Sequence, residues 1–191
     1  MQRFERKEPI IFIFVDGDNL RFIEKSESVS KLSYIKLFKF IIREYFEGKK
    51  INISFFFSTA ESLKNKNKKG TEKEEDFLRK VDFICNVLSE QLENIRVTYK
   101  GFPLSKDSVD VVLTSCIYET LFDYKGKIEK IVLLSGDRDF SRVLRRAKKE
   151  GIEVWVISGK ESCAGMLKGI ANKVLYIEDF VQQSPELCLS S

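Results

Sequence analysis

Short apolar runs alternate along this sequence with segments whose apolar residues recur every three or four positions. The apolar runs predict strands over 10–15, 51–57, 95–99, 128–134, 152–157 and 174–177. The periodic segments predict helices over 32–46, 74–92, 109–122, 139–150 and 161–172. A short apolar run without alternation is typical of a strand that is buried on both faces. Strands that alternate with helices therefore predict a parallel sheet with helices on both of its faces.

The sequence has 191 residues, which is the usual length of one domain. We predict a single domain over 1–181 and a polar, frayed C-terminal tail over 182–191. No apolar run approaches the roughly 18 residues that a membrane span needs. The charged N-terminus also lacks the apolar stretch of a signal peptide. We therefore expect a cytoplasmic protein with no membrane partner.

The absence of histidine excludes more functions than any other feature of the composition. Nucleophile systems that pair Ser or Cys with His are ruled out, as are the usual zinc sites that contain His. The four cysteines form no CxxC pair and are expected to be free thiols. An enzyme of this composition has to use carboxylates, lysines, a cofactor or a metal held by oxygen atoms. The net charge of +4 permits a nucleic-acid partner without requiring one.

Acidic residues follow two of the predicted strands. Asp16 comes at the end of the first strand in the segment VDGDN, and Asp137 and Asp139 follow the fourth strand in SGDRDF. In a doubly wound sheet these two strands are commonly neighbours where the strand order reverses, which is where such folds bind ligands. Asp110 lies near the start of the helix after the third strand, so it belongs to the same edge of the sheet.

Carboxylates that lie close together repel one another unless a cation neutralises them or a proton is shared. Because the oxygen atoms of Asp are hard ligands, the cluster favours Mg²⁺ or Mn²⁺. Any single Asp after a strand can instead be a helix cap or a turn residue, and Asp107 is the expected cap of the helix that holds Asp110. Three acidic junctions at one edge nevertheless predict a shared metal site.

These motifs resemble the NYN domain, and the LabA-like branch of the PIN-like ribonuclease superfamily in particular. The resemblance rests on VDGDN after a strand, on Lys106, Val109 and Asp110 in the pattern K-x-x-V-D, and on LLSGDRDF. It covers about residues 9 to 181 and implies a Rossmann-like three-layer α/β/α fold with a mainly parallel sheet of five to six strands. It also implies a metal-dependent endoribonuclease whose acidic site comprises Asp16, Asp110, Asp137 and Asp139, with Asn19 as a polar partner.

A divalent ion in such a site lowers the pKa of a bound water and so supports hydrolysis of RNA without a His base. We expect Asp16 and Asp137 to bind the metal directly, and Asp110 and Asp139 to bind it directly or through water. Whether one or two ions bind is left open. Asn19 and Ser135 are candidates for orienting water or a phosphate oxygen.

Single-stranded RNA is the expected substrate, and it needs cations near an acidic site. Arg21, Lys106 and Arg138 adjoin the motifs and are candidates for binding phosphate groups. Phe22, Phe102 and Phe140 also lie near the motifs, either to stack on unpaired bases or to pack in the core. A homodimer is consistent with the resemblance, because PIN-like relatives often dimerise.

The sequence departs from the family pattern at two places. Many relatives carry another Asp further along the helix, where this chain has Thr114, Ser115 and Cys116, and many have Asp where this chain has Asn172. One alternative is therefore an RNA-binding or scaffold module of the same fold with weak or no activity.

A second alternative is a phosphatase of the haloacid dehalogenase type. Its nucleophile motif is also a strand-end D-x-D, so Asp16 would attack phosphorus and Asp18 would act as the acid and base. That family usually has Thr or Val after the second Asp, whereas Asn19 stands there in this chain.

Overall fold

A computed structural model describes residues 9–24, 29, 32–58, 79, 83–90, 94–102 and 106–188, with the backbone alone at 57–58, 99–102 and 106–108. The described residues form one six-stranded sheet in the order β3-β2-β1-β4-β5-β6, and every pair of neighbouring strands is parallel. The strands are β1 (Ile10–Asp16), β2 (Lys50–Ser58), β3 (Ile95–Phe102), β4 (Ile128–Leu134), β5 (Glu153–Ser158) and β6 (Lys173–Tyr176).

Helices cover both faces of this sheet, which confirms the predicted three-layer α/β/α fold. In the described residues they are α1 (Gly17–Glu24), α2 (Tyr34–Tyr45), α3 (83–90), α4 (Lys106–Asp123), α5 (Ser141–Lys149), α6 (Gly165–Ile170) and α7 (Ile177–Gln183). The first three and α7 share one hydrophobic core with the sheet, and α4, α5 and α6 share the other. In the part of the chain that the structure describes, no helix is both long and apolar enough to cross a membrane.

Strand β1 lies at the centre of the sheet and is buried along its whole length. Successive side chains of a strand point to opposite faces. Accordingly Ile11 and Ile13 belong to one core, whereas Phe12 and Phe14 belong to the other. Each such side chain contributes about 1.5–3 kcal/mol when it is fully buried. A slip of one residue would exchange the two sets, so this packing fixes the register of β1 and the position of Asp16 at its end.

Helix α4 carries a buried stripe at four-residue spacing, made of Val109, Leu113, Ile117 and Leu121. This packing outweighs the lower helix propensity of its β-branched residues. The helix starts at Lys106, three residues before the predicted start. The expectation that Asp107 caps it is therefore wrong, because that residue lies within the helix.

The C-terminal segment differs from the frayed tail that we expected after residue 181. Gln182 and Gln183 belong to α7, and a turn of 3-10 helix follows at Pro185–Leu187. Leu187 is buried in the same core as α2, and its carbonyl oxygen accepts a hydrogen bond from the Ser33 N–H at 2.8 Å. These contacts fix the segment as far as Cys188.

The predicted helices were incomplete in two respects. The sequence pattern missed α7, and it missed α1 because the start of that helix coincides with the polar segment VDGDN. The helix predicted over 161–172 spans only Gly165–Ile170. Part of the helix predicted over 74–92 and the loop over 60–72 lie outside the described residues.

Candidate functional site

The site lies at the edge of the sheet where its strands end, which we call the carboxyl edge. Strands β1 and β4 are neighbours there, as predicted, and the strand order reverses between them. Asp16 is the last residue of β1, and Ser135 directly follows β4. Helix α4 starts at the same edge because it follows β3, and it brings Asp110 to the crevice.

Three carboxylates converge at this edge: Asp110, Asp137 and Asp139. One oxygen of each lies within 4.8 Å of the oxygens of the other two. We call these three residues the acidic group. Asp110 and Asp137 are partly buried and Asp139 is exposed. The sequence prediction that Asp110 reaches the acidic residues after β4 is confirmed.

Local hydrogen bonding places two members of the acidic group side by side. Asp137 Oδ1 accepts a hydrogen bond from the Asp139 N–H at 3.0 Å and so caps the 3-10 turn Arg138–Phe140. Phe140 at the end of this turn is fully buried and anchors it to the core. The turn therefore directs both carboxylates to the same side.

Asp16 is not a member of the acidic group as defined among the described residues. Its side chain is only 4% exposed. Oδ1 accepts hydrogen bonds from the N–H groups of Asp18 at 3.1 Å and Asn19 at 3.0 Å, and Oδ2 accepts one from the Ser135 hydroxyl at 2.9 Å. Burial raises the pKa of Asp16 above its usual value, although these hydrogen bonds oppose the shift.

This environment bears on both roles predicted for Asp16. Direct ligation of the metal stays a prediction, since the structure gathers Asp137 with Asp110 and Asp139 instead. A nucleophilic role is disfavoured, because both carboxylate oxygens are engaged by groups of the chain itself. The arrangement thus argues against the phosphatase alternative.

Hydrogen bonds join the loop after β1 to the loop after β4. The Ser135 hydroxyl, which donates to Asp16, also accepts from the Asp137 N–H at 3.2 Å. The Gly136 N–H donates to Asn19 Oδ1 at 3.1 Å. Ser135 and Asn19 therefore hold the geometry of the site, and their predicted contact with substrate stays a prediction.

Gly136 makes a close contact that the sequence did not reveal. A Cβ atom there would overlap the Ser162 carbonyl group and lie 2.6 Å from Ser158 Oγ. The Gly136 carbonyl also accepts a hydrogen bond from the Ala164 N–H at 3.0 Å. The loop after β5 thus packs directly against the residue that precedes Asp137. The glycine of SGDRDF was visible in the sequence, but nothing there indicated what it meets.

Two of the predicted phosphate-binding cations lie beside acidic residues. Arg21 Nη1 is 3.5 Å from Asp18 Oδ1, and Arg138 Nε is 4.0 Å from Asp139 Oδ1. The Arg138 side chain is 78% exposed. An ion pair this exposed contributes little stability, so Arg138 can exchange it for a phosphate group. The Arg21–Asp18 pair is less exposed, with the two side chains at 33% and 15%. For Lys106 the structure describes the backbone alone.

The candidate stacking residues differ in the exposure of their side chains. Phe140 is fully buried, so ordinary packing accounts for it, whereas Phe22 is 65% exposed. The side chain of Phe102 lies outside what the structure describes.

The two departures from the family pattern lie in different places. Thr114 follows Asp110 by one turn of α4 and is partly buried. Asn172 precedes β6 and therefore lies at the opposite edge, where its Oδ1 accepts a hydrogen bond from the Val154 N–H at 3.0 Å. The departure at Asn172 therefore takes no carboxylate away from the acidic group, contrary to our expectation.

The donor set of the acidic group suits a hard divalent cation. Oxygen ligands around one Mg²⁺ lie at about 2.1 Å from the ion and hence about 4 Å apart at most. A spread of 4.8 Å therefore needs only a small closure of the side chains.

Comparison with known proteins identifies the family and the fold. The NYN domain model matches residues 10–178. The crystal structure of VPA0982, a protein of unknown function from Vibrio parahaemolyticus RIMD 2210633, is 18% identical with a TM-score of 0.59, over 94% of this chain and 98% of that chain. At this identity the likeness shows the fold alone.

A UDP-glucosyltransferase from Polygonum tinctorium, in complex with 3,4-dichloroaniline, is 10% identical with a TM-score of 0.34, over 80% of this chain and 30% of that chain. A likeness this low carries no argument. No curated protein matches. Because the domain model spans most of the sequence and includes the whole acidic group, the chain belongs to the NYN domain family.

Proposed function

We propose that this protein is a metal-dependent endoribonuclease that hydrolyses phosphodiester bonds of single-stranded RNA in the cytoplasm. The observation that carries the proposal is the acidic group, in which three carboxylates from two separate elements meet where the strand order reverses. Membership of the NYN family supports the same activity, because that family is generally ribonuclease-like.

Asp110, Asp137 and Asp139 are the residues that would hold Mg²⁺ or Mn²⁺. Their mutual repulsion favours binding of a cation, and their oxygens are the ligand type that these ions prefer. When bound, such an ion supplies charge neutralisation at the scissile phosphate and lowers the pKa of water.

The remaining residues of the site would hold its two loops in place or attract the phosphates of the substrate. Asp16, Asn19 and Ser135 keep the two strand-end loops in register through their hydrogen bonds. Arg21, Lys106 and Arg138 attract the phosphates, which the carboxylates alone would repel. A role of Asn19 and Ser135 in orienting a phosphate oxygen or water belongs to this proposal. Formation of a homodimer stays a prediction.

An RNA-binding module without turnover is the second candidate, and Thr114 favours it. That residue stands on α4 one turn after Asp110, where many relatives have a further carboxylate. With fewer carboxylates the site would bind the metal more weakly, and RNA could bind without being cleaved.

The test is cleavage of a 5′-labelled single-stranded RNA of mixed sequence in Mn²⁺, Mg²⁺ or EDTA. We would compare the unmodified protein with Asp137→Asn and Asp16→Asn. Asp123→Asn is the matched control, because this exposed residue ends α4 at the edge far from Asp110. Cleavage that needs the metal, survives in Asp123→Asn and is lost in Asp137→Asn supports the nuclease. RNA binding without cleavage in either metal would favour the inactive module.

A further inference from the structure

Phe22 is an exposed aromatic residue on α1, whose other apolar side chains are buried in the core. Its neighbours Leu20 and Ile23 are buried in the core, whereas Phe22 is 65% exposed. Ile23 Cγ1 lies 3.2 Å from the position that a Cβ atom on Gly159 would take, so α1 rests against the loop after β5. The ring is therefore held on a rigid support rather than on a mobile loop.

The ring also lies close to the carboxyl edge of the sheet. Asp18 precedes Phe22 by four residues, and side chains at this spacing are neighbours on one helix face, with about 5–6 Å between their Cβ atoms. The Asp18 N–H is hydrogen-bonded to Asp16, the last residue of β1. Phe22 is therefore one helical turn from the edge that holds the acidic group. Arg21 reaches the same Asp18 side chain, with Nη1 at 3.5 Å from Asp18 Oδ1.

We propose that Phe22 is a stacking platform for one unpaired nucleobase of an RNA strand that crosses the acidic group, with Arg21 binding an adjacent phosphate. This inference rests on the proposed function for its substrate class. Stacking on an aromatic ring tolerates any base because every base has a flat π-face. A duplex keeps its bases paired and stacked, so the platform selects single strands without selecting a sequence.

The test removes the Phe22 ring and single RNA bases, separately and together, and compares the losses in affinity. All proteins carry Asp137→Asn so that bound RNA stays intact, and fluorescence anisotropy gives the Kd. The probes are 12-nucleotide RNAs, one unmodified and the others with a single abasic site at successive positions. The protein variants are Phe22→Ala and Phe22→Trp, with Phe122→Ala as the matched control.

Phe122 suits this control because it is an exposed aromatic residue near the end of α4, at the edge of the sheet opposite the acidic group. Thermal unfolding checks that each variant is folded.

With Phe22 present, we expect one abasic position, or two adjacent ones, to weaken binding by about 5- to 150-fold. Phe22→Ala should weaken binding of the unmodified RNA by the same factor and abolish the sensitivity at that position. Phe22→Trp should restore the sensitivity, and Phe122→Ala should change neither the affinity nor the positional profile.

Three results would overturn the inference. The first is that no abasic position weakens binding more than the others when Phe22 is present. The second is that Phe22→Ala binds RNA as tightly as its parent, and the third is that Phe22→Ala loses the same affinity for every RNA, abasic or not. Each of them leaves the nuclease proposal standing if metal-dependent cleavage is observed. A position-specific loss in a protein that does not cleave RNA would instead support stacking and reject the nuclease. If the protein does not bind RNA, both proposals fail.

Discussion

At the amino edge of the sheet, where its strands begin, a buried cation is neutralised by groups of the chain itself, whereas carboxylates are gathered together at the carboxyl edge. The Lys130 side chain is only 9% exposed. Its Nζ lies 3.7 Å from the centre of the Trp155 ring and 3.4 Å from Glu153 Oε2. At the other edge, Asp110, Asp137 and Asp139 place three groups of the same sign within 4.8 Å of one another.

The partners at the amino edge reinforce one another. Trp155 Nε1 donates a hydrogen bond to Glu153, and this bond, together with the nearby Lys130 and Lys173, lowers the pKa of the Glu153 carboxyl. Lys173 Nζ lies 4.5 Å from the centre of the same Trp155 ring. Both lysines therefore share one aromatic side chain.

The two edges therefore differ in what their charged groups can offer a ligand. A buried charge that is already paired has little left to offer a ligand, and removal of one partner destabilises the fold. Like charges held together repel one another until a cation neutralises them.

The largest effect is expected from Asp137→Asn. Cleavage should fall by more than about 100-fold, since even residues that only support metal ligands contribute 10- to 100-fold. The melting temperature in EDTA should rise by a few degrees because one of three like charges is removed, while the Asn oxygen still caps the turn. A fall in melting temperature would show that the carboxylates do not strain the fold, and Asp123→Asn is again the control.

Gly136→Ala should disturb the carboxyl edge without changing its charge. Its methyl group would overlap backbone atoms of Ser162, which cannot move independently, so we expect a loss of about 3 kcal/mol in stability together with loss of cleavage. Urea unfolding measures the first and the RNA assay the second.

Gly159→Ala is the matched comparison for this effect. The nearest atom to its Cβ is Ser162 Oγ at 2.9 Å, and a side-chain hydroxyl can rotate away. We expect a loss of about 1 kcal/mol. Equal losses for the two glycines would contradict the close packing inferred around Gly136.

Lys130→Ala should have the opposite effect to Asp137→Asn, because it should lower stability and leave cleavage unchanged. Loss of the cation over the Trp155 ring and of the packed aliphatic stem should cost about 2 kcal/mol in urea unfolding. Lys130→Met keeps the stem, so a smaller loss there would isolate the contribution of the charge. A loss of metal-dependent cleavage in folded Lys130→Met would show that the two edges are coupled.

Asp16→Asn gives the smallest and most specific effect, through pH. Burial raises the pKa of Asp16 in the folded state, so its protonated form stabilises the fold at low pH and this contribution is lost as pH rises through the folded pKa. Asn carries no carboxylate charge, so the stability of Asp16→Asn relative to the unmodified protein, measured in EDTA, should be higher at pH 7 than at pH 4. A relative stability that rises as the pH falls would contradict the raised pKa.

Much of this site was predictable because the strands are parallel and nearly continuous in their hydrophobicity. The runs that became β1 and β4 predicted the edge at which Asp16 and Asp137 lie, and the helix after β3 brought Asp110 to the same place. The role of Asp16 was less predictable. Its hydrogen-bonding partner Ser135 follows β4, far from Asp16 in the sequence, and no local pattern indicates that pairing.

The C-terminal tail and Asn172 are two further places where a local pattern did not predict the tertiary contacts. The tail after residue 181 is polar on average, but Leu187 is buried in the core that also contains α2, and Cys188 packs against this core. Asn172 matched a family position in sequence, although the direction of β6 places it at the edge opposite the acidic group.

The sequence by itself determined the six strands and five of the seven described helices, the absence of histidine chemistry and the acidic character of one edge. These follow from backbone periodicity and composition, which act over a few residues. The tertiary structure decided that Asp139 rather than Asp16 completes the group with Asp110 and Asp137, and that Gly136 admits no side chain. Those outcomes depend on distances between residues far apart in the chain, and such distances are set only when the strands pair and the two cores pack.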